Sequence, residues 1–180
     1  MNSRALKAGL GLCLVVLTSA VQAQWASAND AEWKEGTVPA PPDFSTARLA
    51  SFDVSVHSEL RYGLIPDSLQ VGDDGVVRYV IVAQSRSGAV NVLYEGVRCK
   101  TREMRTYARW SPNSSPLPSP FTQADGEWRT VERVDWIGLT TGPQARPALA
   151  LARTALCDGS TLNGNPQRML RDLRLGKPRD

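Results

Sequence analysis

Between residues 60 and 110 the apolar positions recur with the period of a strand. VVRYVIVAQS (76–85) puts Val77, Tyr79, Ile81 and Ala83 on one face, because successive side chains of a strand point to opposite sides. Its other face carries Val76, Arg78, Val80, Val82 and Gln84, a mixed set that predicts a part-covered surface. Asp73-Asp74-Gly75 forms a turn before this run, and SRSGA with Gly88 forms one after it. AVNVLYEGVRC (89–99) returns with β-branched and aromatic residues, Lys100-Thr101-Arg102 turns again, and EMRTYARW (103–110) follows. The reading is an antiparallel meander of strands 76–85, 90–98 and 103–109. LRYGLI (60–65) and SLQVG (68–72), split by Pro66-Asp67, predict two shorter strands ahead of it.

The period then breaks and changes. SPNSSPLPSP (111–120) is too rich in proline for a sheet, since proline lacks the ladder donor. Residues 111–125 are therefore read as a surface loop. Gly126-Glu127-Trp128 resumes the pattern, and RVDWIGL (133–139) predicts a short strand. ARPALALARTALCDG has Pro147 near a helix start, Gly159 past its end, and Leu149, Ala152 and Leu156 on one face. NPQRMLRDLRLGKP repeats this grammar, with Asn165 as N-cap, Pro166 in the first turn and Gly176 as stop. Strands followed by helices predict an α+β fold, a meander sheet packed by a C-terminal helix. The last helix is short, with Met169, Leu170 and Leu173 opposite an Arg168, Arg171, Arg174 stripe. Residues 160–180 are read as a basic appendage whose loss after Gly159 leaves a folded domain.

The N-terminus follows different rules. Arg4 and Lys7 precede an apolar run from Ala8 to Ala20, and Val21 and Ala23 are small residues at the −3 and −1 positions. This is the build of a secretory signal peptide over 1–23, cleaved after Ala23. The run is too short to span a bilayer with margin, and no second long run follows. Leu12 before Cys13 is bulky, which argues against a lipoprotein box. Residues 24–43 read as a flexible lead-in and 44–159 as a single domain. Arg4 and Lys7 are two of the 21 Lys and Arg, so cleavage leaves 19 against 18 Asp and Glu. A nearly neutral mature chain lacks the basic footprint of a nucleic-acid binder.

Export changes the reading of cysteine. Cys99 and Cys157 remain after cleavage, and an even count in an oxidising compartment predicts a disulfide, the alternative being two free thiols. His57 is the single histidine, in the alternating stretch VSVHSE, and no G-x-S-x-G or S-x-x-K accompanies it. The two cysteines left after cleavage and His57 make three ligands, too few for a structural zinc site. Asp67, Asp73 and Asp74 lie at turns without calcium-loop spacing, and there is no P-loop or dinucleotide fingerprint. Glu32 and Glu35 lie in the lead-in, a poor place for a preorganised acid and base. Tyr79, Tyr94, Tyr107, Trp110, Trp128 and Trp136 are read as core rather than as a stacking platform. No catalytic, cofactor-binding or metal-binding residue is assigned.

SLQVGDDGVVRYVIVAQSRSGAVNVLYEGVRCKTREMRTYA resembles the signature of the CNP-one-like family of exported proteins of Gram-negative bacteria. The resemblance maps onto Ser68–Tyr79, Ser87–Cys99 and Tyr107–Ala108, with Trp128 and Cys157 fitting later positions, and covers about residues 33–157. The proline-rich loop departs from the pattern. A fainter likeness to surface-adhesin E-type domains rests on a cysteine at a strand end before a basic turn. The expectation is a periplasmic or surface-facing envelope protein, a non-enzymatic module that binds an envelope protein or polymer. The competing expectation is a periplasmic hydrolase with a site near His57.

Overall fold

The computed structural model describes residues 33–132 and 135–176, so the signal peptide expected over 1–23 lies outside the described residues. The unit Lys34–Asp180 holds every element below. Its frame is the expected meander. Strands β4 (Val76–Gln84), β5 (Val90–Arg98) and β6 (Glu103–Pro112) pair antiparallel in sequence order. On the far edge of β4 lie β2 (Arg61–Leu64) and β3 (Gln70–Val71), and β1 (Ala50–Phe52) pairs with β2. Strand β6 takes β7 (Gly126–Thr130) along its second half and β8 (Ile137–Gly138) along its first. The result is an eight-stranded sheet in the order β1-β2-β4-β5-β6-β7.

Both faces of this sheet are covered. On the first, Val77, Tyr79 and Ile81 of β4, Val97 of β5 and Cys99 just beyond it pack beneath the C-terminal helices. On the second, Val80, Val82, Val92, Tyr94 and Trp110 pack with Phe44 and Phe121. Phe44 meets Trp110, Phe121 and Trp128 edge-on at 5.5–6.1 Å between ring centroids, a favoured aromatic geometry. The second face of β4, expected to be part-covered, is buried from Val76 to Val82, Arg78 included. The alternation pattern missed this because its covering chain arrives from the distant Phe44 and Phe121.

The helical half differs from expectation in three ways. Helix α1 (Arg146–Leu151) has Pro147 in its first turn as predicted, but a π-helical turn, Ala152–Leu156, carries it into β9 (Cys157–Asp158). Gly159, expected beyond a helix end, instead turns β9 into β10 (Thr161–Leu162) at φ +59°, a left-handed conformation that glycine adopts without strain. Helix α2 (Pro166–Leu175) has the predicted cap, the Asn165 side chain accepting from Arg168 N–H, and the predicted Gly176 stop. It is not an appendage. Met169 (0% exposed) and Leu173 (3%) belong to the same core cluster as Tyr79 and Leu64. Asn163 ties it down further, its amide donating to Ala155 C=O at 2.7 Å and to Asp172 at 2.8 Å. The short helix holds because it packs.

The Cys99–Cys157 disulfide is present, with 5.6 Å between Cα atoms. It joins the end of β5 to the strand that follows the π-helical turn. Closing a 58-residue separation is worth about 4 kcal/mol in the chain-entropy account. The expected loop over 111–125 is shortened at its start, since Ser111 and Pro112 continue β6 opposite Glu127 and Gly126. Proline is tolerated there at the strand's last position. The predicted strand over 133–139 reduces to β8, and residues 133–134 are outside the described residues. No helix among the described residues is long and apolar enough to cross a membrane.

Candidate functional site

Two carboxylate sites, one part-buried and one buried, lie on opposite faces of the central strands. The first is a closed network on the second face. Arg78, 2% exposed, points there from β4 and is gripped by Asp74 through contacts of 3.1 and 2.6 Å. Glu35 reaches in from the lead-in. It accepts from Tyr107 O–H at 2.5 Å, from Arg105 at 2.7 Å and from Arg78 at 3.3 Å. Gly36 N–H donates to Asp74 at 3.0 Å. Both guanidinium groups lie 5.5–5.7 Å from the Tyr107 ring centroid, within cation–π range. Gly96 makes room for that ring, since a Cβ there would stand 2.6 Å from the Tyr107 hydroxyl.

The electrostatics of this network are those of paired charges. Burial works against ionised Asp74, but the Arg78 bond and the Val76 and Gly36 N–H groups outweigh it and lower its pKa. Burial likewise opposes the Arg78 charge, and Asp74 overrides it and raises the pKa. Burial and the Glu35 carboxylate push the Tyr107 hydroxyl far above its usual value. Arg78 and Arg105 are paired with carboxylates from within the chain, although Arg78 Nε has no hydrogen-bond partner among the described residues, and such paired charges form a structural clasp. Lys34–Asp43, expected as a flexible lead-in, carries no helix or strand, yet Glu35 and Gly36 fasten it to the sheet.

The second site is open. A cleft of about 560 Å³ lies on the helix-covered face, between the sheet and the segment that enters α1. Ile81, Leu93, Met104 and Ile137 give it apolar walls, and Pro143 and Gln144 stand across from the sheet. Glu95 of β5 lies in it, 2% exposed. Tyr79 O–H and Thr106 O–H donate to its two oxygens, each at 3.4 Å. The register of β5 and β6 shifts at Tyr94/Glu95. That irregularity turns Tyr107 and Ala108 together to the opposite core and leaves Thr106 and Arg109 lining the cleft. Irregular pairing of this kind re-aims side chains beside binding sites.

Burial raises the Glu95 pKa to about 7, and the Thr106 and Tyr79 bonds and the charge of Arg109 offset only part of that rise. Near neutral pH the group is therefore divided between an acid that donates a hydrogen bond and a carboxylate that attracts a cation. A strongly shifted carboxyl in an apolar concavity is a physical marker of a functional site. A larger cleft of about 880 Å³ separates the β4–β5 hairpin from the proline-rich loop, but its lining, from Thr46 and Val82 to Pro118 and Phe121, has no ionisable side chain.

The residues singled out from sequence are scattered. His57 is exposed on the loop after β1, where its backbone N–H donates to Ser55 Oγ. Asp67 makes an exposed ion pair with Arg48, while Asp74 belongs to the clasp. Tyr79, Tyr94, Tyr107 and Trp110 are buried as expected of core residues. Glu95 went unnoticed, although VLYEGVRC carried a signal: it shares the strand face of Leu93, Val97 and Cys99. A charged residue in an inward stripe needs either a partner or a purpose. Glu35 left no comparable signal, because its partner Tyr107 lies 72 residues away.

The pattern of the CNP1-like family matches residues 28–174 of the chain, which therefore belongs to that family. The match runs on through α2, past Gly159, in agreement with the packing of that helix in the core. No curated protein and no solved structure matches the chain.

Proposed function

We propose that this member of the CNP1-like family is an exported envelope protein that works by binding, and that the Glu95 cleft is its ligand site. The carrying observation is the Glu95 carboxyl, 2% exposed within an open, apolar-walled cleft. A core has no use for such a group, because an apolar residue of similar volume would be more stable there. Export is supported by the Arg4–Ala23 leader pattern, and the periplasm is the compartment that suits the Cys99–Cys157 bridge. The cleft has the size of a small-molecule site, so the partner in the envelope is a small compound or one side group of a peptide or polymer. No reaction is assigned.

The test is methyl NMR of the mature chain mixed with a small-molecule extract of the cell envelope. Ile81, Leu93 and Met104 methyls should shift, and Leu93→Trp, which fills the cleft, should abolish the effect on the other two. His57→Ala should behave as wild type. Shifts elsewhere, no shifts at all, or a turnover lost in His57→Ala would overturn the proposal.

A further inference from the structure

We infer that the Glu95 cleft selects a cationic amine carried on an apolar body, with the Glu95 carboxylate as its counter-ion. This rests on the binding reading above and adds the chemistry of the ligand.

A carboxylate offers about four lone-pair positions. Glu95 uses one on Tyr79 and one on Thr106, both at 3.4 Å, long for O–H···O bonds. Those hydroxyls reach it from β4 and β6, so its unused capacity is left for an occupant of the cleft. Among the described residues, Tyr62 from β2, Tyr79 from β4 and Arg109 from β6 are the titratable or charged groups around it, and the covering segment offers Pro143, Gln144 and Pro147. Among the described residues Arg109 is the cation whose charge reaches Glu95, and Arg109 is itself exposed. Water and salt screen a charge at the mouth far more than one on the floor. The field inside the cleft is therefore that of the carboxylate.

Three ligand classes compete for such a site. An anion meets the carboxylate as a like charge. A neutral compound gains the apolar walls of Ile81, Leu93, Met104 and Ile137 but leaves the buried charge uncompensated. An ammonium group on an apolar body fills the walls and completes a charge-assisted hydrogen bond where water is scarce. Truncating either half of the ligand then costs affinity, which is the basis of its selection.

The experiment is isothermal titration calorimetry of the full mature chain with three probes of one shape: 2-phenylethylamine, 2-phenylethanol and 3-phenylpropanoate. At pH 8 the amine should bind at least about tenfold tighter than the alcohol, a modest yield for one partly buried ion pair. Its Kd should fall about tenfold from pH 6 to pH 8, as the ionised fraction of a group with pKa about 7 rises. Glu95→Gln should bring the amine to the affinity of the alcohol and flatten the pH profile. Leu93→Lys, which tethers an amine two residues along the same strand face, should block the free amine without removing Glu95, and serves if Glu95→Gln fails to fold. Preference for the propanoate, tightening at low pH, or an amine affinity untouched by both variants would overturn the inference. Binding of the alcohol alone, mapped to the cleft methyls, would overturn the amine assignment and leave the cleft as a binding site. Absence of binding by every probe and by the envelope extract would sink both.

Discussion

The two faces of the sheet each hold carboxylates, part-buried Glu35 and Asp74 on one and buried Glu95 on the other, and the chain provides for them differently. On the face closed by the lead-in, Glu35 meets Arg78, Arg105 and Tyr107, and Asp74 holds the same Arg78. On the face closed by the C-terminal helices, Glu95 meets two hydroxyls at the limit of hydrogen bonding and opens on a cleft. Burial opposes ionisation in both places. In the first, paired charge wins and the Asp74 pKa falls. In the second, burial wins and the Glu95 pKa rises to about 7. The clasp therefore serves stability, and the open acid is a cost that stability alone does not explain.

The strongest way to break this comparison is to remove what closes each face. Truncation after Gly159 deletes α2, and with it Met169 and Leu173 from the core. Full burial of such side chains is worth about 1.5–3 kcal/mol each, and the cavity left behind adds to the loss. The truncated chain should fail to fold, read as lost near-ultraviolet circular dichroism and lost melting cooperativity. A cooperative melt near the full-length temperature would return α2 to the status of an appendage.

Unfastening the other face should cost less. Glu35→Ala leaves Arg105 and the Tyr107 hydroxyl without their acceptor, while Asp74 still holds Arg78. Removing one partner of a buried pair typically costs about 3–5 kcal/mol. Arg105 is 29% exposed and can turn to water, so about 3 kcal/mol is expected by urea titration, without loss of fold. An effect below about 0.5 kcal/mol, the range of surface substitutions, would mean that the lead-in is not fastened in solution.

The pH dependence sharpens the contrast, because the two sites carry opposite signs. The Glu95 pKa is raised from 4.5 to about 7. Between those values the folded state holds a proton that the unfolded state has lost, so stability falls as pH rises. The span corresponds to about 3 kcal/mol, present below pH 4.5 and lost by pH 8. The Asp74 pKa is lowered from 3.8, so its contribution is present above that value and lost as pH falls through the folded one. Glu95→Gln should flatten the neutral slope and leave the acid limb intact, and at pH 8 it should equal or exceed wild type in stability. A Glu95→Gln chain less stable than wild type at pH 8 would show that Glu95 is held by a structural counter-charge.

The outline of the fold was legible because strand pairing here is local. The Asp73–Gly75, Ser85–Ala89 and Lys100–Arg102 turns fix which runs meet, and period-two alternation fixes which side chains share a face. The disulfide was legible for another reason: with Cys13 assigned to the expected leader, two cysteines leave a single pairing. The cap and stop of α2 were legible one by one, but whether α2 belongs to the core was not. Capping is a property of four or five neighbouring residues, whereas burial of Met169 depends on a sheet built some hundred residues earlier.

The sequence by itself determined the meander, its turns, the ends of α2 and the pairing of Cys99 with Cys157, since each depends on interactions between residues close in the chain or on elimination. Tertiary structure alone decided the fate of the charged groups. Glu35, Asp74 and Glu95 are the same kind of side chain on paper. The roles of all three, and the pKa values of Asp74 and Glu95, depend on whether the fold brings an arginine within 3 Å or leaves a cavity, and the partners lie up to 72 residues away. Ionisation answers to the local dielectric and to the nearest opposite charge, and both exist only once the chain has closed around them.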